Sequence, residues 1–143
     1  MSKNHNQALR NHSISMVVLL VALYIIGTVV GLYVEFPEAG SAADNWKFAM
    51  QNGLVLSHIV VGTLVVVGTI GLYVRALVLK DKNWKIAGGL AAGFSLLAWV
   101  SGEEFVTGQS DTYTVAMAVF FILALVALGW GIYQSKDQVA AKK

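Results

Sequence analysis

Of the three histidines in this 143-residue chain, only His58 lies inside a long apolar run, Gly53 to Leu79 (GLVLSHIVVGTLVVVGTIGLYVRALVL). An ionisable group in such a run is costly in lipid and usually faces neighbouring helices or a water-filled cavity, so its chemistry needs explaining. An imidazole can act as axial ligand to a b-type haem. Gly62, four residues on, leaves room beside it, and Met117 is a candidate second ligand, with Met50 also at plausible depth. Together with Glu103 and Asp111, the same imidazole forms a nitrogen-and-oxygen set suited to a divalent metal, and Glu104 extends it into a polar cluster. A histidine beside a carboxylate can also exchange protons with a quinone-like carrier. Passage of an ion or small ligand is a fourth chemistry, poorly served by spans whose interiors carry no charge.

Each of these readings has a plainer counterpart. Sliding the helix by one turn puts His58 among the headgroups while Arg75 reaches inward to the other interface. A simple interhelical hydrogen bond explains the residue equally well, since polar groups between membrane helices often act only as glue. Glu103 and Glu104 point about 100° apart on a helix, so both cannot address one atom. Glu103 continues the face of Gly89, Gly93, Leu96 and Trp99 or Val100 and is expected inside, with Glu104 toward water. Bis-histidine haem ligation within one chain is not available, because His5 and His12 precede the first apolar run and fall on the opposite side. A five-coordinate haem or one shared across a homodimer remains open.

Other chemistries are absent. Ser57 and His58 diverge as neighbours and form no nucleophile and base pair, and no HExxH, Walker loop or dinucleotide fingerprint occurs. Without cysteine there is no disulfide, thiol nucleophile or iron–sulfur cluster. The lysines suit anionic lipid rather than nucleic acid.

These residues must be positioned by membrane-spanning helices. The chain is 57% hydrophobic and only 13% charged, against about a quarter charged in soluble domains. Four runs are long enough to cross a hydrocarbon layer of ~30 Å at ~1.5 Å per residue. They are expected at about 14–34, 53–79, 86–102 and 113–133, in one domain over 1–143. The first is longer than the ~7–15-residue core of a signal peptide and is read as a retained span. Residues 1–13 read as a polar cytoplasmic cap. Pro37 and Gly40 break the chain after the first span, and Asp44 to Met50 is expected as a short interfacial turn anchored by Trp46, Phe48 and Met50. Asp111 or Thr112 is expected to cap the last helix. Gly27-xxx-Gly31 and Gly89-xxx-Gly93 are expected to let neighbouring helices approach, as small residues four apart do in membranes.

Charge sets the orientation. Lys3, Arg10, Arg75, Lys80, Lys82, Lys85, Lys136, Lys142 and Lys143 fall on one side of a four-span arrangement and only Lys47 on the other. Both termini are therefore expected in the cytoplasm of a bacterial-type inner membrane. Glu35, Glu38, Asp44, Glu103, Glu104 and Asp111 fall outside, near the expected depth of His58.

The pattern of Leu56-Ser57-His58, Arg75, Ser101-Gly102-Glu103-Glu104-Phe105, Asp111 and Met117-Ala118 resembles small uncharacterised four-span bacterial membrane proteins. That resemblance implies a fold and no activity. More distantly, an apolar-face histidine in a four-helix membrane bundle is similar to b-type cytochrome domains and to the half-modules of haem A synthase, which use paired histidines. The sequence thus predicts an all-α, up-down-up-down integral membrane bundle. It is read as a non-enzymatic module that binds haem b or a quinone-like ligand near the outer face for electron transfer, or that serves as an accessory subunit of a redox complex. The alternative is a structural or regulatory subunit without cofactor. Its expected partners are membrane lipids, a second copy of the chain or a larger membrane complex.

Overall fold

The computed structural model describes residues 3–37 and 40–140, with side chains over 5–37 and 40–135; Glu38, Lys142 and Lys143 lie outside the described residues, as do the side chains of Lys3, Lys136 and Asp137. Five helices and no strand occur among the described residues: α1 (Lys3–Tyr33), α2 (Ala42–Gln51), α3 (Gly53–Val78), α4 (Lys82–Gly108) and α5 (Asp111–Ala140). All but α2 are long and apolar enough to cross a membrane. α1 packs on α3 and α5, and α4 packs on the same two, so the long helices close into a ring of four with α2 against α3 and α4.

Burial is arranged as a bilayer requires. Many large aliphatic side chains face outward, among them Val18, Ile25, Leu32, Val67, Val115 and Val126, whereas Ala87, Ala91, Ala124, Ser13, Thr69, Ser95 and Ser101 are buried. Lipid rewards no Leu for going inside, so small residues that bring backbones close occupy the seams. On α3 the inward stripe is Val55, His58, Gly62, Val65, Thr69, Leu72 and Ala76, spaced alternately three and four residues apart. At Gly88 the α4 backbone comes against the α3 backbone, where a Cβ would meet the Tyr73 Cα at 3.1 Å. The expected pair is displaced by one position: Gly89 rests on the Tyr73 ring, Gly93 has no neighbour within 4 Å, and Gly31 likewise borders open space.

Residues 3–13 are not a loose cap. They continue α1, because Asn6, Leu9 and Ser13 extend the stripe of Met16 and Leu20 and are all buried. Asn6 Nδ2 donates to the Ser135 carbonyl at 3.2 Å, its Oδ1 accepts from Trp84 Nε1 at 2.9 Å, and Ser13 Oγ donates to the Leu128 carbonyl at 3.5 Å. One end of the bundle therefore gathers the beginnings of α1 and α4 and the end of α5.

The connections follow local chemistry. The α3–α4 turn places Lys80 in the left-handed region at φ 54°. Asp81 then caps α4 by accepting the Trp84 amide at 3.0 Å. α4 runs on past Gly102, six residues beyond the expected end, because Val106 is buried with Ala49 and Val55 in a second cluster at the far end of the bundle. It stops at Gln109, in the left-handed region at φ 50°, whose amide donates to the Phe105 carbonyl at 2.7 Å. Asp111 is the first residue of α5 rather than its cap, an acid well placed against the helix dipole.

The expected interfacial turn is the complete helix α2. Ser41 Oγ accepts the Asp44 amide at 3.3 Å and the Asp44 carboxylate accepts the Ser41 amide at 3.1 Å, a reciprocal capping box. Trp46 packs on the second cluster, Phe36 meets Phe48 edge-on, and Met50 is exposed. The Ser41 hydroxyl also donates to the Asp44 carboxylate at 2.6 Å, and this bond first, then the Ser41 amide, holds the Asp44 carboxyl below its ordinary value. A depressed carboxyl stabilises the helix start above its unfolded pKa of ~3.9 and ceases to as pH falls through the lower folded value. The Ser41 amide nitrogen shift is expected to titrate with a midpoint below that of a free aspartate. Ser41→Ala should bring the Asp44 midpoint back up.

Candidate functional site

His58 sits on the inward stripe of α3, against α1. The contact is made by a glycine: a Cβ placed on Gly27 would lie 2.8 Å from His58 Cε1 and 3.2 Å from Nδ1. The notch left by the missing side chain is therefore where the imidazole rests. Gly27 belongs to the stripe expected to bring helices together, and what it admits is a ring rather than a backbone. One turn further along α3, Gly62 faces α1 as well, with Leu23 Cδ1 3.8 Å from its would-be Cβ. His58, Gly62, Leu23 and Gly27 thus make one continuous α1–α3 seam.

The ring as a whole is half-buried, but its Nδ1 is fully covered and has no hydrogen-bond partner. Reaching that nitrogen requires α1 and α3 to part.

The carboxylates do not join it. Glu103, Glu104 and Asp111 are all exposed. The face expected to carry Glu103 inward is the outer face of α4, since Leu96, Trp99 and Val100 are exposed too. The buried face runs instead through Trp84, Ala87, Gly88, Ala91, Ala92, Ser95, Ser101 and Val106. Among the described residues no three of His, Cys, Asp or Glu come together in a group able to hold a metal ion, so the set of His58, Glu103 and Asp111 is not assembled.

Met117 is placed elsewhere. Its Sδ lies 3.2 Å from the would-be Cβ of Gly102, in the α4–α5 seam. In a ring ordered α1, α3, α4, α5, that seam is across the bundle from α1–α3. A haem coordinated by both His58 and Met117 does not fit: the two donors face different neighbours, and Leu23 occupies the space beside Gly62. Met50, the other thioether, is on the exposed face of α2.

Two groups outside the sequence reading now stand out. The buried bonds joining Asn6, Trp84 and Ser135 are one; their signal is the spacing 6, 9, 13, 16, 20, which carries the α1 stripe back into the polar segment. The other is the pairing of Arg75 with His12, the Arg75 Nη1 lying 3.3 Å from His12 Nδ1 across the α1–α3 interface.

Comparison with protein-family models, with curated proteins and with solved structures finds no match to this chain.

Proposed function

We propose that the chain is a non-catalytic, multi-pass structural or regulatory module of a bacterial-type cytoplasmic membrane. Its four spans run up-down-up-down with both termini in the cytoplasm, an orientation supported by the concentration of Lys and Arg at one end. In this reading His58 is an interhelical key that fixes the register of α1 on α3. The observation that carries it is the imidazole lodged in the Gly27 notch with its Nδ1 covered.

Haem or quinone binding is the competing reading, and absorption separates the two. Detergent-purified protein supplied with haem is expected to give the same spectrum as His58→Ala. A Soret band that His58→Ala weakens would overturn the proposal.

A further inference from the structure

Between the first turns of α1 and the last turns of α3 lies a cleft of about 230 Å³, lined by His5, Ala8, Val74, Arg75, Val78 and Leu79. Its two sides differ in chemistry. Ala8, Val74, Val78 and Leu79 form an apolar wall, and Val78 is 74% exposed, as a surface meant for acyl chains would be. His5 and Arg75 stand at the same opening, both exposed.

Arg75 is held but not neutralised. Its one polar contact among the described residues is to His12 Nδ1 at 3.3 Å. Arginine only donates, so that nitrogen accepts and removes none of the positive charge. The contact engages one of five N–H groups and orients the fork, leaving the others for a planar or tetrahedral anion. Asp81, the acid of the adjoining turn, is buried and committed to capping α4, while Lys80 and Lys82 beside it are exposed.

A guanidinium set over an apolar wall at the end of a span complements a phosphate attached to acyl chains. A zwitterionic headgroup would bring a cation as well, and among the described residues no carboxylate lines the cleft to receive it. We infer that this cleft is a binding site for an anionic phospholipid, with the phosphate on Arg75, His5 beside it, and an acyl chain along Val74 and Val78. The site is separate from the His58 seam, ~25 Å away along α3 at ~1.5 Å per residue, and does not depend on the role of that histidine.

Native mass spectrometry of the full chain in detergent, mixed with phosphatidylglycerol or phosphatidylcholine, tests it. Phosphatidylglycerol is expected to be retained over phosphatidylcholine by roughly fivefold or more, the order one basic residue supplies at a membrane surface. Arg75→Gln should bring the ratio near one, whereas Lys82→Gln, outside the cleft, should leave it. His5→Gln, on an exposed first turn, should lower the ratio as well, which keeps the inference open to refutation even where Arg75→Gln loses its fold. An unchanged ratio in every cleft variant that folds overturns the inference. So does an equal loss in Lys82→Gln, which would mean general surface charge, or displacement of the lipid by an equal concentration of inorganic phosphate, which would mean an anion site without lipid character.

Discussion

Replacing Trp84 by alanine is expected to destabilise the bundle by about 3–5 kcal/mol, the range for emptying a well-packed aromatic site. Trp84 is 1% exposed and is the largest fully buried side chain. Its ring fills the space that Gly131 leaves on α5, where a Cβ would come within 2.7 Å of Cζ3. Its Nε1 donates to Asn6 on α1, and its own amide is capped by Asp81. One side chain therefore joins α1, α4 and α5, and its loss leaves both a cavity and a buried amide oxygen without a donor. Trp84→Phe separates these effects: it keeps most of the packing and strands Asn6 Oδ1, at a cost of about 1–3 kcal/mol. Equilibrium unfolding in mixed micelles, followed by far-UV circular dichroism, measures both. A loss under about 1 kcal/mol for Trp84→Ala would mean that the three helices are joined by something else.

Gly27→Ala should cost about 1–3 kcal/mol by overpacking. The added methyl would stand 2.8 Å from His58 Cε1, closer than carbon atoms approach. Gly31→Ala is the matched control. It lies one turn along the same helix with nothing within 4 Å, so it should be neutral or gain up to ~1 kcal/mol from helix propensity. The same substitution thus changes sign over four residues, according to whether an imidazole occupies the notch.

Much of this architecture was legible beforehand. Four long apolar runs dictate four membrane-length helices, whereas the α3 stripe at 55, 58, 62, 65, 69, 72 and 76 that carries His58 shows only in the burial pattern of the folded chain. The failures share a cause. Hydropathy locates helices in a membrane protein but does not orient them, because the lipid-facing surface is as apolar as the interior. Gly89-xxx-Gly93 and the face leading to Glu103 were therefore assigned inward when the seam runs one residue round, through Gly88, Ala91, Ala92 and Ser95. The carboxylates looked close to His58 because they share an end of the bundle. Sharing an end fixes depth and leaves angle free, and Glu103, Glu104 and Asp111 turned out exposed. Polar composition likewise hid the first turns of α1, where Asn6 and Ser13 lie buried in a continuing helix.

The role given to His58 is tested most directly by a double-mutant cycle on Gly27 and His58, with unfolding free energies measured for Gly27→Ala, His58→Ala and the pair. If the imidazole occupies the notch, its removal makes room for the new methyl. The double variant is then no less stable than His58→Ala alone, with a favourable coupling of about 0.5–3 kcal/mol. Losses that simply add would contradict the account, because they would mean that the ring and the glycine do not meet.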